Sequence, residues 1–318
     1  MRTEKMIAQR EAYGAGLVEL GKANPKVAVL DADVSNSTRT LYFAKEFPER
    51  FFNFGIAEQN MMAAAAGMAK CGLIPFVNTF SFLATYRAAD QLRTSIAYTK
   101  ANVKIAATYG GLSDSFDGPT HQSVADLAMV RALPDLTVVV PADAVEVEKA
   151  LPVLAEFNGP VWLRLSRNPS PVIYGDDYQF TLGKATLLRE GTDLTLISCG
   201  TVLGRVLDAA DLLAKEGLSP RVVSIATLKP IDKEAILAAA RETGAIVTVE
   251  EHSILGGLGA AVSEIVTDQH PCPVKRVGIP DTFADTGPYE ELLDMFGLSV
   301  DNIVKAAKDA LAMKKANS

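Results

Sequence analysis

The segment SDSFDGPTHQS, residues 113–123, gathers residue types that enzymes use in active sites. It contains Asp117, a Gly-Pro pair and His121, which is one of only three histidines in the chain. Aspartate and histidine side chains can hydrogen-bond a polar substrate or exchange a proton with it. The surrounding stretch, 108–122, is longer than most strand-to-helix connections, and its glycines and proline indicate a shaped backbone. The pattern also fits a surface turn with an incidental histidine, and the pattern alone leaves both interpretations open.

Glu58 is a second candidate, because it begins a predicted helix at 58–70 within the stretch FNFGIAEQNMMAAAAGMA. A carboxylate at a helix N-terminus can be no more than a stabilising charge near the positive end of the dipole. Here the setting is unusually apolar, and burial disfavours a carboxylate that is neither paired nor hydrogen-bonded. Enzymes place general acids and bases in such settings. The apolar neighbours are Phe51, Phe52, Phe54, Ile56, Met61 and Met62.

Strands and helices that alternate along the chain must position these candidates. Short apolar, β-branched runs predict strands at 27–31, 74–78, 103–107, 136–140 and 161–165, and helical patterns lie between them at 58–70, 84–98, 123–133 and 143–157. Near-continuous apolar strands are typical of a parallel sheet covered on both faces, so we predict a doubly wound α/β unit. Ligands of such sheets bind beyond the carboxyl ends of the strands, which directs attention to the loops that follow them.

A second α/β unit follows a break at 167–184, which is rich in proline, glycine and aspartate and lacks a helical period. Strands are predicted at 194–198, 221–225, 245–250 and 274–278, and a last helix at 300–314. We therefore predict an α/β fold with two doubly wound domains. Their predicted bounds are 1–170 for the first domain, 171–187 for a linker and 188–318 for the second domain.

The composition excludes several classes of function. The net charge of −7 provides no basic field, so we expect no nucleic-acid or membrane partner. No apolar run approaches the length of a bilayer span, and the charged N-terminus does not resemble a signal peptide. The three cysteines lie far apart and suit neither a disulfide framework nor a zinc site, so we expect a cytoplasmic protein.

The glycine cluster HSILGGLGAAV, residues 252–262, only partly matches a dinucleotide-binding fingerprint. Its third glycine is missing, and we favour close helix–sheet packing or subunit packing as the reason for the glycines. Glu250, Glu251 and His252 come just before the cluster, where we expect a solvated strand end. The sequence contains no Gly-x-Ser-x-Gly elbow, no phosphate-binding P-loop and no zinc-type spacing.

Taken together, these motifs resemble the transketolase family, and more closely the C-terminal half of a transketolase that is split between two subunits. The resemblance covers nearly the whole chain, and its strongest pair is GIAEQN with DGPTHQ. It implies that 1–170 form a pyrimidine-binding domain for thiamine diphosphate and that 188–318 form the family's C-terminal domain. The motifs that carry it include AQREAYG (8–14), VLDADVSNST (29–38), NFGIAEQNM (53–61), TFSFLATYRAADQLR (79–93), DGPTHQ (117–122), LRLSR (163–167) and VEEHSILGGLGAAV (249–262).

The resemblance implies a set of cofactor-binding residues. Glu58 would hydrogen-bond the ring nitrogen of the cofactor's aminopyrimidine and favour the tautomer needed for carbanion formation. Phe80 and Tyr86 would help to bury the pyrimidine ring, and the match leaves open whether Phe82 or Leu83 is the second cover. Asp33 matches an acid near the cofactor at the subunit interface.

The resemblance also implies substrate contacts. Asp117 and His121 would hydrogen-bond the hydroxyl groups of a ketose, and His121 joins Glu58 as a candidate catalytic residue. Arg10 and Arg167 match positions that grip the phosphate of a sugar, a task for which guanidinium groups are well suited. The sequence departs from many transketolases at two positions: Phe116 stands in place of a glutamate and Asp31 in place of a serine. Both departures bear on the choice of sugar.

One motif of the family is missing, namely Gly-Asp-Gly followed about thirty residues later by Asn, which holds the diphosphate through Mg²⁺. The resemblance therefore implies that the chain supplies no metal ligands and acts only with an N-terminal subunit in an α2β2 assembly. The implied reaction is transfer of a two-carbon ketol unit from a ketose phosphate to an aldose phosphate, with pentose phosphates as the default substrates. The β subunit of a 2-oxo acid dehydrogenase's decarboxylating component is the nearest alternative, and a non-catalytic scaffold is another.

Overall fold

The computed structural model describes residues 5–316. Its strands are β1 (Met6–Ala8), β2 (Val27–Asp31), β3 (Phe51–Asn53), β4 (Ile74–Phe80), β5 (Lys104–Thr108), β6 (Thr137–Val139), β7 (Val161–Arg164), β8 (Pro169–Pro171), β9 (Thr186–Arg189), β10 (Leu194–Ser198), β11 (Pro220–Ser224), β12 (Thr227–Lys229), β13 (Ile246–Ser253) and β14 (Val274–Ile279).

The α-helices are α1 (Gln9–Ala23), α2 (Ser35–Thr38), α3 (Leu41–Glu46), α4 (Glu58–Lys70), α5 (Asp126–Ala132), α6 (Ala144–Glu156), α7 (Leu203–Lys215), α8 (Lys233–Thr243), α9 (Leu258–Gln269), α10 (Tyr289–Leu293) and α11 (Val300–Ala316). Leu83–Arg87 and Gln91–Ala97 form wider π-helical turns, and Pro48–Arg50 form a short 3₁₀ turn. Asp294–Leu298 form a kinked turn, in which Gly297 has a φ of +93°.

The first sheet has seven strands in the order β12-β6-β7-β5-β4-β2-β3, and every pair is parallel except β12 with β6. Helices cover both of its faces. Val27 and Val29 of β2 pack in a cluster with α1 and α6, whereas Ala28 and Leu30 pack in a cluster with α4. Alternate side chains of a strand point to opposite faces, so a strand buried on both sides must be apolar throughout. The predicted doubly wound fold is confirmed in this unit.

The second sheet has five strands in the order β14-β13-β10-β11-β9, parallel except for β9. Apolar side chains of α8 and α9 pack in the same core cluster as those of α4 and α5. The two units thus share one continuous apolar layer. Helices α7 and α11 pack in another cluster on this sheet.

Most of the strongly patterned elements agree with the sequence prediction, whereas one predicted helix and several short strands differ from it. Strands 27–31 and 194–198 and helix 58–70 lie where they are predicted. The predicted helix at 84–98 is replaced by π-helical turns, and the break at 167–184 contains β8, which pairs with β1. Strands of three or four residues are too short for an alternating pattern to stand out, so β9 and β12 were missed.

The beginning of α6 holds the segment that connects the two sheets. The carboxylate of Asp143 caps the helix and also accepts hydrogen bonds from the backbone N–H groups of Ile173 and Tyr174, at 2.6 and 2.9 Å. Glu146, one turn later, is buried and accepts hydrogen bonds from Tyr178 Oη at 2.5 Å and from the backbone N–H of Ala142 at 2.7 Å. Burial raises the pKa of Glu146 to about 7.

We expect ionisation of Glu146 to weaken the folded state between about pH 5 and about pH 8. The folded chain keeps a proton on Glu146 up to about pH 7, whereas the unfolded chain releases it near its ordinary value of 4.5, so stability is lost as the pH rises through this window. Glu146→Gln should remove this loss. Relative to wild type, the variant should gain up to about 3 kcal/mol in unfolding free energy over that window, measured by urea denaturation.

Glu148→Gln, on the exposed face of the same helix, is the matched control and should not change the pH dependence. If wild type and Glu146→Gln differed in unfolding free energy by the same amount at about pH 5 and at about pH 8, the expectation would be contradicted.

Candidate active site

The carboxyl ends of β2, β4, β5 and β7 lie at one edge of the first sheet, because these strands are parallel neighbours. The ends of these strands and the loops that follow them carry five of the sequence-predicted residues. Asp33 follows β2, Phe80 ends β4, and Arg167 lies just beyond β7. The long loop after β5 carries Asp117 and His121, and the parallel sheet brings all of these segments to the same edge.

Tyr109, the first residue after β5, is the centre of this edge. Its hydroxyl accepts a hydrogen bond from Arg10 Nη1 at 2.9 Å, and the Arg167 guanidinium carbon lies 5.1 Å from the centre of its ring. The Phe80 ring stacks on the Tyr109 ring with centroids 4.3 Å apart. Tyr109 is buried and has a φ of +62°, a conformation that is costly for a bulky residue and is found at functional sites.

His121 and Asp117 lie next to this group. The His121 ring is edge-on to Phe80 with centroids 6.3 Å apart, and its Nδ1 lies 3.0 Å from Thr120 Oγ1. Asp117 Oδ2 lies 3.7 Å from Arg167 Nη1, and the Asp117 side chain is exposed. The structure therefore brings together five residues from four separate parts of the sequence, namely Arg10, Phe80, Asp117, His121 and Arg167.

Asp114 is a member of the group that sequence reasoning missed. Its Oδ1 accepts a hydrogen bond from Arg167 Nη1 at 2.8 Å, and the residue is fully buried. Its other oxygen, Oδ2, is buried without a hydrogen-bond partner among residues 5–316. Burial and the neighbouring Asp117 carboxylate raise the pKa of Asp114 to about 7. Asp114 and Asp117 are thus two carboxyl groups beside one arginine.

Glu58 begins α4, as predicted, and its side chain is almost completely buried. Both of its oxygens accept hydrogen bonds from Arg87 Nη1 at 3.0 Å. The Arg87 side chain is 46% exposed, so it can turn into solvent without passing through the core. The carboxylate is therefore paired with a cation that a ligand could replace. Sequence reasoning missed Arg87, although it is the first cation on the helical stretch that follows Phe80.

Phe82, Leu83 and Tyr86 lie at the start of the π-helical stretch. Leu83 is buried, Tyr86 is half exposed, and the Phe82 and Tyr86 ring centroids are 5.3 Å apart. A π turn holds one more residue than an α turn and often occurs at functional sites. The open choice between Phe82 and Leu83 falls at the point where the turn widens.

The two acids after β2 differ in their surroundings. Asp33 has a φ of +65° and forms reciprocal hydrogen bonds with Asn53, which donates its amide to Asp33 Oδ1 at 3.0 Å. Asp31 is fully buried, and its carboxylate accepts hydrogen bonds from Thr38 Oγ1, Thr40 Oγ1 and the backbone N–H of Val34. The oxygens of Asp31 thus hold the loop that follows β2.

The expectation of a solvated strand end at Glu250, Glu251 and His252 is wrong, because all three side chains are buried. Strand β13 continues to Ser253 and passes beneath the long loop, where a contact between the two units excludes water. Burial raises the pKa of Glu250 to about 7 and lowers that of His252 to about 4, so this histidine is neutral. The nearby glycines pack closely as predicted, since a Cβ on Gly259 would lie 2.8 Å from Thr248 Oγ1.

Comparison with known proteins gives the chain its family. The family model described as "Transketolase, pyrimidine binding domain" matches residues 5–171, and the one described as "Transketolase, C-terminal domain" matches residues 183–303. The chain belongs to the transketolase family. The fold predicted from the sequence, a pyrimidine-binding domain followed by a transketolase C-terminal domain, is confirmed.

Individual transketolase relatives match over nearly their whole length. "Putative transketolase C-terminal section" of Methanocaldococcus jannaschii is 43% identical, over 93% of this chain and 94% of its own. A "6-deoxy-6-sulfo-D-fructose transketolase subunit" of Clostridium sp. is 38% identical, over 96% of this chain and 95% of its own. A solved structure described as "Split gene transketolase, inactive beta4 tetramer" is 48% identical and has a TM-score of 0.89, covering 98% of this chain and all of its own.

The residues present fit one part of thiamine diphosphate, the cofactor of the transketolase family. Glu58 provides a buried carboxylate with a replaceable partner, and Phe80 provides an aromatic face at the same sheet edge. Within residues 5–316 no group of three or more His, Cys, Asp or Glu side chains could hold a metal ion. In the same range no helix is long and apolar enough to cross a membrane.

Ionisation of Asp114 should control how well Arg167 binds an anion. Below about pH 7 Asp114 is protonated and uncharged, whereas above that pH its carboxylate adds a negative charge beside the Arg167 guanidinium. Wild-type affinity for sulfate, which stays doubly charged over this range, should fall several-fold between about pH 6 and about pH 8. Asp114→Asn should bind sulfate more tightly at the higher pH and lose most of the pH dependence, as measured by titration calorimetry.

Asp33→Asn is the control, because Asp33 pairs with Asn53 and not with Arg167. If Asp114→Asn weakened sulfate binding at both pH values, Asp114 would instead be needed to orient the arginine.

Proposed function

We propose that this chain is the C-terminal subunit of a two-chain transketolase that moves a two-carbon ketol unit from a ketose phosphate to an aldose phosphate. The observation that carries the proposal is the group around Tyr109. There a hydroxyl-binding pair, Asp117 and His121, lies beside two arginines at the edge that also holds Phe80. Membership of the transketolase family is the reason to interpret this group as a sugar-binding site. We propose domain bounds of 1–170 for the pyrimidine-binding domain, 171–187 for the linker and 188–318 for the C-terminal domain.

In this proposal Glu58 and the apolar side chains hold the aminopyrimidine of thiamine diphosphate. The bound cofactor supplies the nucleophilic carbon for ketol transfer, and the protein supplies orientation and electrostatics. Glu58 would hydrogen-bond the pyrimidine ring nitrogen in place of Arg87, and its burial would keep water from competing for that bond. The ring would be covered by Phe80, by Tyr86 and by either Phe82 or Leu83, and these side chains would exclude water.

The remaining side chains of the group bind the sugar. Asp117 and His121 hydrogen-bond the hydroxyl groups of the donor, and a site built for hydroxyls discriminates against analogues that lack them. Arg10 and Arg167 approach Tyr109 from different elements and bind the anionic end. Asp33, held by Asn53, completes the cofactor side of the site at the subunit interface.

The diphosphate and Mg²⁺ are held by an N-terminal partner subunit in this proposal, in an α2β2 assembly. Two similarities support it: one relative is named as a C-terminal section, and one solved structure is a split-gene transketolase described as an inactive tetramer of its β chain. We propose the cytoplasm as its location, consistent with three free cysteines. Pentose phosphates are the default substrates, and a relative named for a sulfonated sugar makes donors of that kind worth testing.

Reconstitution tests the function. The chain, its partner subunit, thiamine diphosphate and Mg²⁺ should transfer a ketol unit between sugar phosphates, whereas the chain alone should not. Glu58→Gln should lower kcat by at least about 100-fold, because the amide cannot carry the carboxyl proton to the ring nitrogen. Glu46→Gln, at an exposed helix end, is the matched control. Full turnover by Glu58→Gln would exclude the assigned role, and turnover of pyruvate but of no ketose would favour the dehydrogenase alternative.

Removal of the sugar-binding side chains should affect the donor and spare the cofactor. Asp117→Ala and His121→Ala should each lower kcat/KM for the donor about tenfold or more, since each leaves a sugar hydroxyl unpaired. Cofactor affinity, measured by quenching of protein fluorescence, should stay close to wild type. Asp176→Ala, at an exposed position in the connecting segment, is the control. Loss of cofactor binding in either variant would show that its role is wrongly assigned.

A further inference from the structure

The loop that carries Asp117 and His121 is closed at its base. The backbone N–H of Gly111 donates to the carbonyl of Ser123 at 2.9 Å, and the N–H of Ser123 donates back to the carbonyl of Gly111 at 2.9 Å. The two ends of the loop are therefore fixed to each other by this pair of hydrogen bonds. The direction in which Asp117 and His121 point depends on what holds the base.

Glu251, from strand β13 of the second sheet, holds the first side of that base. Its Oε1 accepts the backbone N–H of Leu112 at 2.8 Å, and its Oε2 accepts hydrogen bonds from Tyr289 Oη at 2.6 Å and Thr201 Oγ1 at 3.3 Å. Gly111 has a φ of +66°, and a Cβ at this position would overlap the Glu251 carboxyl group. The glycine is therefore required for the carboxylate to approach this closely.

Arg164, at the end of β7, holds the other side of the base. Its Nη2 donates to the carbonyl of Ser123 at 2.9 Å, and its Nη1 donates to the carbonyl of Glu251 at 3.1 Å. The same guanidinium forms a two-point ion pair with Asp126, at 2.7 and 3.0 Å. Residue 251 thus contacts one end of the loop directly and the other end through Arg164.

A second segment of the C-terminal domain, residues 285–287, packs against the middle of the loop and beside its base. The backbone N–H of Gly287 donates to the carbonyl of Ser115 at 3.1 Å, and Gln122 Nε2 donates to the carbonyl of Asp285 at 2.9 Å. Gly118, with a φ of +79°, lies so close to the Thr286 side chain that a Cβ there would overlap it. The loop is therefore held at its base and at its middle by the second domain.

We infer that the C-terminal domain positions the substrate loop, and that Glu251 is the positioning residue through which it does so. The inference rests on the proposed function for its catalytic consequence. Loss of the Glu251 carboxylate would free the N–H of Leu112 and loosen the base of the loop. Asp117 and His121 would then lose their alignment with the donor, while the residues proposed to hold the pyrimidine, on β4 and α4, would keep theirs.

Glu250 provides a matched control, because it is the neighbouring residue on β13 and is equally buried. Its carboxylate also accepts two backbone hydrogen bonds, but from Leu258 and Gly259 at the beginning of α9, at 2.6 and 2.8 Å. Removal of either glutamate thus costs the second domain comparable contacts, and only Glu251 touches the loop. The conservative variant Glu251→Gln keeps an oxygen that can accept the Leu112 N–H and should act as a rescue.

Hydrogen exchange of the full-length chain tests the inference without any need for activity. In Glu251→Ala, amides of 112–122 should exchange about tenfold faster than in wild type, while amides of the first turn of α9 stay protected. Glu250→Ala should show the reverse pattern, and Glu251→Gln should resemble wild type. Unchanged exchange of the loop in Glu251→Ala, or equal acceleration in Glu250→Ala, would overturn the inference.

Steady-state kinetics of the complex with the partner subunit then test the catalytic consequence. Glu251→Ala should raise KM for the donor about tenfold at unchanged cofactor affinity, and Glu250→Ala should not. If the wild-type complex showed no ketol transfer, the proposed function would be refuted. The hydrogen-exchange experiment would then still test whether Glu251 positions the loop. Altered exchange together with unchanged donor KM would overturn the positioning role.

Discussion

The ion pair of Arg164 and Asp126 is the interaction on which the rest of the site depends. It joins β7 to α5, and through Ser81, which donates to Asp126 at 2.7 Å, it reaches the residue next to Phe80. Burial by itself would raise the pKa of Asp126, but the Arg164 guanidinium outweighs burial and lowers it. A buried pair gains little over apolar residues of similar size, yet loss of one partner costs about 3–5 kcal/mol because the other charge is stranded. The buried ion pair therefore favours the one arrangement of the loops in which both charges are paired.

The parts of this architecture that depend on neighbouring residues could be predicted from the sequence. Apolar runs identified the buried parallel strands, and the apolar setting of Glu58 identified a carboxylate that is buried. The loop with Asp117 and His121 was recognised from its glycines, its length and its position after a strand. The identities of the two domains came from the family resemblance, because hydrophobic periodicity predicts only helices and strands.

What could not be predicted depends on long-range contacts. The sequence shows Tyr109 only as a loop residue, and its importance comes from its contacts with Arg10 and Phe80 in the fold. In the same way, Arg87 stands out only through its contact with Glu58. Glu251 was expected in solvent because a charged pair at a strand end usually is, and only the packing of one domain on the other buries it. The turn at Leu83–Arg87 is π-helical, so its side chains repeat at a different spacing from those of the predicted α-helix.

Strand β12 follows the connecting segment in sequence but belongs to the first sheet, where Thr227 lies opposite Val139 of β6. A fragment that stopped at the connecting segment would leave β6 as an edge strand with unpaired backbone groups, which is a template for aggregation. The same fragment would lose the apolar layer that α8 and α9 share with α4 and α5. The two family domains are thus consecutive in the sequence, but in the structure they share a sheet and an apolar layer. We therefore do not expect the chain to be divisible at the boundary between them.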